Sequence, residues 1–314
     1  SNQRIGVNYS QNTQKLKYGG SIEIRENQRD SWSKRHTESF LSDNTSQLSQ
    51  QNNQSNGKTD AISGNFRFEW KIDSLTTIMY RPSVNFSKGN SNSGSFSETL
   101  NNELIPINQK EATNRQTNDR FSTNGSLQFN RKLNSKGRNI ALRLYYNLDN
   151  GNSDRYSLAN TYYLKYGDSI KVQNQWIDNL NRNHEYRVQL TYMEPVFTNH
   201  FIEINYSYQH RSSLSEKYAY DWNDLEDSYS QYPDTAQSDC YKNKYSIHQV
   251  GAFFRTIRTN YFYNIGIEIE PQQTTNQSYM RDTTLEYSSR NAINYAPTMN
   301  FKYTFSKQTT LRIN

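Results

Sequence analysis

The residues best suited to binding chemistry lie in a polar segment over positions 215–240, SEKYAYDWNDLEDSYSQYPDTAQSDC. Carboxylates bind hard cations such as Ca²⁺, and aromatic rings stack on sugars, peptides or cofactors. The carboxylates spread over the segment include Asp221, Asp224, Glu226, Asp227, Asp234 and Asp239. The segment opens like an EF-hand loop at Asp221, but Glu226 and Tyr232 stand where that loop needs Gly and Glu. It is therefore either a solvated acidic loop or a ligand contact, and no metal site is predicted.

A second aromatic segment precedes the first along the chain and contains Tyr162, Tyr163, Tyr166 and Trp176. Aromatic rings carrying a polar tip are suited to contact a ligand at a wet surface. We therefore expect the two segments to contribute jointly to one ligand-contacting region. The candidate contact residues are Trp176, Tyr220, Asp221, Trp222 and Asp224.

Catalytic and cofactor-binding motifs are missing from the sequence. The histidines at 36, 184, 200, 210 and 248 show no H-E-x-x-H spacing, and no carboxylates accompany them in a metal-ligand pattern. There is no G-x-G-x-x-G, Walker A or G-x-S-x-G run. Cys240 is the single cysteine, which leaves no internal disulfide. We expect neither an enzyme nor a bound metal or cofactor.

The composition is unusual for a chain of 314 residues. Only 32% of the residues are hydrophobic, 25 tyrosines included, and the mean hydropathy is −1.06. Such polarity would favour disorder, but an aromatic content of 14% argues against it. The net charge of +6 comes from dispersed basic residues without a run or stripe, so nucleic acid is not an expected partner. No apolar run is long enough for a transmembrane helix.

Apolar residues alternate with polar ones at a period of two, which predicts half-buried strands. In residues 184–192, Tyr186, Val188, Leu190 and Tyr192 fall on one face, opposite Arg187, Gln189 and Thr191. The same alternation recurs at 65–71, 139–147, 201–208, 265–270 and 301–305. No stretch keeps the helical spacing with caps. The chain is therefore predicted to be all-β, with about 12 strands.

The connections between these strands alternate in length. Short turns are predicted near residues 13, 73, 136, 197, 258 and 307, and long polar connections over 33–57, 92–118, 153–182, 212–242 and 271–290. This rhythm is typical of an antiparallel transmembrane β-barrel, in which strands of about 9–11 residues are apolar outside and polar inside. Tyr192, Tyr208, Tyr263 and Phe305 are candidates for an interfacial girdle. The alternative is a secreted or surface-exposed soluble β-rich binding protein.

Residues 291–314, NAINYAPTMNFKYTFSKQTTLRIN, carry a family resemblance. They resemble the late barrel segment of TonB-dependent outer-membrane receptors, in particular the outer-membrane β-barrel family, in which Pro starts a strand of the form P-x-x-N-x-x-Y. Pro297, Asn300 and Tyr303 hold those places, and Lys307-Gln308-Thr309-Thr310 would form the short periplasmic turn before a strand over 311–314. A strand-initial Pro is reasonable because it removes one donor where pairing begins.

The resemblance implies a barrel of about 22 strands that encloses an N-terminal plug. No plug is recognised over residues 1–314, so we expect a single incomplete barrel segment of a larger barrel. The implied function is import of a nutrient ligand, such as a siderophore, cofactor, glycan or peptide, across the outer membrane of a Gram-negative bacterium. The implied partners are outer-membrane lipid, the TonB complex acting through the plug, the extracellular ligand and, further, a surface lipoprotein. The long loops would face outward from the cell.

Overall fold

The computed structural model describes residues 1–40, 46–164, 169–281, 283–306 and 308–313. These residues form an all-β, antiparallel sheet of 13 strands. The strands are β1 Asn2–Asn12, β2 Leu16–Phe40, β3 Ser46–Lys71, β4 Thr76–Leu100, β5 Pro106–Lys132, β6 Asn139–Tyr163, β7 Ser169–Phe197, β8 His200–Asn223, β9 Ser228–Tyr229, β10 Asp239–Ile257, β11 Tyr261–Met280, β12 Thr283–Thr304 and β13 Thr310–Ile313. Tyr166, Lys307 and Asn314 of the predicted segments lie outside the described residues.

Each long strand pairs with its neighbours in chain order, from β1 through β8 and β10 to β13, and the short β9 pairs with β8. This up-and-down order follows from the short turns, because a tight turn makes sequential strands antiparallel neighbours. Five of the six predicted turn positions are confirmed, since each lies at or within two residues of a short connection between strands, and the sixth, at 307, lies outside the described residues. In the part of the chain that the structure describes, no helix is long and apolar enough to cross a bilayer.

The strand register aligns the alternating residues of all the long strands into one apolar band. One cross-strand row contains only apolar and aromatic side chains across ten strands: Leu16, Trp70, Ile78, Phe129, Leu142, Leu190, Tyr206, Val250, Ile269 and Tyr295. These side chains share one face, because directly paired residues point to the same side of a sheet. Large apolar side chains of the band remain exposed, for example Ile204 at 50% and Ile267 at 46%. We call this the outward face.

The opposite, inner face is polar and more enclosed. The side chains of Glu69 and Glu203 are each only 12% exposed to solvent, far less than the apolar band residues beside them. Phe253, an apolar exception on this face, is 8% exposed because its ring covers Gly251 and Gly266. The sheet therefore curves with its polar face inside, which reverses the arrangement of a soluble protein with an oily core.

Aromatic side chains border the apolar band at both ends. Toward the long connections, the rings of Tyr186 and Tyr208 lie 6.0 Å apart, and the ring of Tyr208 lies 4.8 Å from that of His248. Toward the short turns, the rings of Tyr261 and Tyr263 stack at 6.3 Å. Tyr192 and Tyr263 thus lie at the short-turn border and Tyr208 at the opposite border, while Phe305 lies in the turn that follows β12. Amphipathic rings at these two levels suit a membrane interface.

The prediction of long polar loops is wrong for most of their length. β2 to β8 contain 24–29 residues each, and the segments 33–57, 92–118, 153–182, 212–242 and 271–290 lie largely within strands. Beyond the apolar band the outward face carries Asn, Ser, Thr and Gln, so alternation of hydropathy stops although backbone pairing continues. We call these parts of the strands, on the side of the long connections, the strand extensions.

The prediction that Pro297 begins a strand is also wrong. β12 begins at Thr283, and Pro297 pairs with Ile267 well inside that strand. The proline is tolerated because β13 pairs with β12 only over Phe301–Thr304, so among the described residues β12 is an edge strand at Pro297. A proline on an edge removes no hydrogen bond from the interior of the sheet.

Side-chain caps hold the short turns. In the β3–β4 turn, the Asp73 carboxylate accepts hydrogen bonds from the backbone N–H of Leu75 at 2.7 Å and of Thr76 at 2.6 Å. The bond from the Leu75 N–H is the main cause that lowers the pKa of Asp73. In the β5–β6 turn, Asn134 accepts from the N–H groups of Lys136 and Arg138 in the same way, and Gly137 supplies a positive φ of 106°.

Candidate ligand-binding region

Four of the five predicted contact residues lie in the strand extensions, and the fifth lies in a turn. Trp176 lies on β7, Tyr220, Asp221 and Trp222 lie on β8, and Asp224 lies in the turn that follows β8. Register puts Trp176 directly opposite Tyr220. The side-chain period of two then separates Asp221 from its neighbours and turns it to the inner face.

Three of the five residues join one aromatic cluster on the outward face. The ring of Trp176 stacks on that of Tyr220 at 4.8 Å, with an interplanar angle of 21°. The ring of Trp222 meets that of Tyr229 edge-on at 5.0 Å, and Tyr229 lies 5.8 Å from Tyr156. The aromatic cluster, as we call it, consists of Tyr156, Trp176, Tyr220, Trp222 and Tyr229. Ring pairs at such distances attract each other and hold the rings in fixed positions.

The two candidate aspartates are not part of this cluster. Asp221 accepts a hydrogen bond from Nε2 of the buried Gln175 at 2.7 Å on the inner face. Asp224 is exposed at the tip of the extension, next to Leu225, which is 96% exposed. The predicted site therefore divides into an outward aromatic part, one inner carboxylate and one carboxylate at the tip.

The connection between β8 and β10 packs along the edge of β8. The backbone N–H of Asp234 donates to the carbonyl of Ala219 at 2.7 Å, and the Ala219 N–H donates to Oγ of Ser238 at 3.0 Å. A hydrogen bond from the side chain of Gln237 lowers the pKa of Asp234. Across the described ranges, no three His, Cys, Asp or Glu side chains converge on a possible metal position. In the described part of 215–240, individual carboxylates accept hydrogen bonds from different partners, and they do not converge on a common site.

Carboxylates from three neighbouring strands border the aromatic cluster. The indole N–H of Trp176 donates to Oδ1 of Asp154 at 3.1 Å, and Asp154 pairs with Asp178 across the sheet. Burial chiefly raises the pKa of Asp178, and the charges of Asp154 and Glu216 raise it further. The hydroxyl of Tyr279 donates to Glu216. One border of the cluster is therefore acidic.

The inner face at the level of the apolar band carries a continuous polar network. Arg255 and Glu203 form an ion pair at 2.7 Å, and Nδ2 of Asn205 donates to Glu268 at 3.4 Å. One step further, Oγ of Ser207 donates to Gln249 at 2.7 Å, and Gln249 donates to Glu270 at 2.5 Å. Ion pairs and hydrogen bonds between polar side chains of this kind line a surface suited to water and polar solutes.

Residues that the sequence did not mark complete the outward surface. Tyr156 and Arg115 lie in the same cross-strand row as Trp176, and Asn174 accepts a hydrogen bond from the hydroxyl of Tyr229 at 3.1 Å. The sequence around Arg115 is polar on both faces, and Asn174 is a polar residue between Val172 and Trp176, so hydropathy singles out neither of them. Only the register between strands could have found them.

Comparisons with known proteins give a family match and weak structural likenesses. Residues 131–314, more than half of the chain, match the outer membrane protein beta-barrel family. Among solved structures, the outer membrane protease OmpT from Escherichia coli is similar at 12% identity and a TM-score of 0.29, over 93% of this chain and 97% of that one. The translocator domain of the autotransporter NalP from Neisseria meningitidis is similar at 9% identity and a TM-score of 0.14, over 91% and 89%. No curated protein matches the chain.

Likenesses at such TM-scores say nothing about activity, and the family assignment rests on the match over 131–314 alone. That match accords with the outward apolar band, the polar inner face and the aromatic borders described above. The chain belongs to the outer membrane protein β-barrel family.

Proposed function

We propose that this chain forms part of the wall of a TonB-dependent receptor that imports a nutrient across the outer membrane. The observation that carries the proposal is the polar inner face, where ion pairs and side-chain hydrogen bonds link β8, β10 and β11. Such a lining suits a passage for a polar solute. The resemblance of residues 291–314 to the late barrel segment of these receptors supports energised import in particular.

In this proposal the chain contributes the wall and the recognition surface, and further strands complete a barrel of about 22. A plug outside residues 1–314 would couple the barrel to the TonB complex. The strand extensions would face outward from the cell, with a surface lipoprotein as a further partner there. The role is transport rather than catalysis, and the ligand is a siderophore, cofactor, glycan or peptide. The alternative of a soluble secreted binding protein is disfavoured by membership of an outer-membrane family.

Uptake by cells that carry the full-length receptor is the experiment for this proposal. Growth on the limiting nutrient, or accumulation of the labelled nutrient, is expected to require both the receptor gene and the inner-membrane TonB complex. Loss of the complex should abolish accumulation while surface binding persists. Accumulation that continues at the same rate without the complex would contradict energised import.

The same assay tests the predicted contact residues. Replacing Trp176 and Trp222 together by Ala removes two rings of the aromatic cluster, and we expect at least tenfold weaker surface binding, equivalent to about 1.4 kcal/mol. Trp32→Ala is the matched control, because Trp32 is a 72% exposed outward tryptophan on β2, remote from the cluster. Unchanged affinity in the double variant would remove these residues from the ligand site.

A further inference from the structure

A cleft of about 470 Å³ opens on the outward face of the strand extensions. One cross-strand row lines it on β3 to β6 with Asn56, Asn92, Arg115 and Tyr156. Beyond the cleft the same row continues to Trp176 and Tyr220. Gly94 leaves its floor open, since a Cβ added there would meet no atom within 4 Å. This volume is in the range of small-molecule sites. We call it the outer cleft.

The side chains that line the outer cleft are mainly amides and hydroxyls, with one charge, Arg115, and one aliphatic side chain, Leu158. Nδ2 of Asn92 donates to Oδ1 of Asn56 at 3.4 Å, and the hydroxyl of Tyr229 donates to Oδ1 of Asn174 at 3.1 Å. Asn56 and Asn174 both accept in these bonds, which leaves their NH₂ groups to donate to a ligand. No carboxylate lies in the lining, so the cleft is unsuited to a cation, and a single guanidinium is a weak site for a multiply charged anion.

Aromatic rings form one wall of the cleft. Tyr156 is 47% exposed, and its ring lies 5.8 Å from that of Tyr229. Tyr229 is in turn held edge-on by Trp222. An accessible ring beside several amides matches a sugar, which has an apolar C–H face and a rim of hydroxyl groups.

The position of the cleft also points to a sugar. Asn56 and Asn92 lie six residues beyond the band residues Ile62 and Phe86 on their strands, or roughly 20 Å along the strand direction at 3.3 Å per residue. The cleft therefore opens sideways just above the hydrocarbon layer, where the outer leaflet of an outer membrane presents the sugars of its glycolipid. We propose that the outer cleft is a carbohydrate-binding site on the outside of the barrel wall. It shares Tyr156 and Tyr229 with the aromatic cluster but lies on the face opposite the proposed import passage.

Binding to the purified full-length protein in detergent tests this proposal, with the fluorescence of the neighbouring Trp176 as one readout. The probes are lipopolysaccharide, the core oligosaccharide freed from it, lipid A, and a neutral glucan oligosaccharide. Two variants alter the cleft. Tyr156→Ala removes the accessible ring, and Gly94→Phe fills the open floor without changing the side chains of the cross-strand row. Tyr145→Ala is the control, because Tyr145 lies on the inner face of the same strand.

We expect the wild-type protein and the control to bind a saccharide, and both cleft variants to bind it at least tenfold more weakly. Equal binding of lipopolysaccharide and its freed core would identify the membrane glycolipid as the source, and binding of the glucan alone would identify a free glycan. Three outcomes would each overturn the proposal. Lipid A could bind as tightly as lipopolysaccharide, no saccharide could bind, or both cleft variants could bind the saccharide as tightly as the wild type. These readouts need no uptake, so they are separate from the test of import.

Discussion

Leu190→Arg is expected to destabilise the folded barrel in a bilayer by about 2–4 kcal/mol, the cost of an arginine near the membrane midplane. Leu190 lies within the ten-strand apolar row, pairs with Leu142 and Tyr206, and is 41% exposed on the outward face. A guanidinium there would have to leave water or thin the bilayer locally. The measurement is equilibrium unfolding by urea of protein reconstituted in lipid vesicles.

Thr191→Arg is the matched control for this change. Thr191 is the next residue of β7, on the inner face, where it pairs with Ala141 and Asn205 near the carboxylate of Glu203. Because the same side chain would face a polar interior, we expect a loss of less than 1 kcal/mol. Equal destabilisation by the two arginines would contradict the assignment of faces.

Gly266→Ala is expected to be the most disruptive small substitution, at about 1–3 kcal/mol for overpacking a fixed site. A Cβ at Gly266 would meet the backbone oxygen of Ala252 and the ring of Phe253, including Cγ at 2.8 Å. The same ring lies 2.7 Å from a Cβ added at Gly251. The aromatic ring therefore covers two glycines and replaces the side-chain contacts that they lack.

Gly94→Ala serves as the control, because it adds the same methyl group within a strand where no atom lies within 4 Å. Alanine there should leave stability unchanged or raise it slightly. The measurement for both variants is the temperature at which the band of the folded protein on an SDS gel is replaced by the band of the unfolded protein. Equal melting of Gly266→Ala and the wild type would show that Phe253 does not pack on Gly266.

The strands within the apolar band were predictable from the sequence because alternation there has a physical cause. Ile202, Ile204 and Tyr206 must face lipid while Glu203 and Asn205 face the interior, so the sequence carries a period of two. The short turns were predictable as well, since residues such as Asp73 and Gly137 have turn-specific roles. Both signals depend on neighbouring residues along the chain.

The strand extensions and the outward site were not predictable in the same way. Between Asn92 and Arg115 polar residues dominate both faces of each strand, with isolated exceptions such as Phe96 and Leu100, so pairing in the sheet leaves no regular period in hydropathy. Trp176 and Tyr220 stand 44 positions apart in the sequence and stack only because the β7–β8 register places them opposite each other. In a strand the period of two separates Asp221 from Trp222, but a loop has no such period, and the polar sequence of 215–240 predicts a loop.

Labelling single cysteines along β7 tests the division between a lipid-facing and a polar face most directly. Cys240, the one native cysteine, is replaced by Ser, and residues 187–192 are then changed singly to cysteine and labelled with a fluorophore in lipid nanodiscs. We predict that lipid-borne quenchers act at Val188, Leu190 and Tyr192, and that aqueous iodide acts at Arg187, Gln189 and Thr191. Iodide quenching at all six positions, without alternation, would contradict a membrane-spanning β-barrel wall.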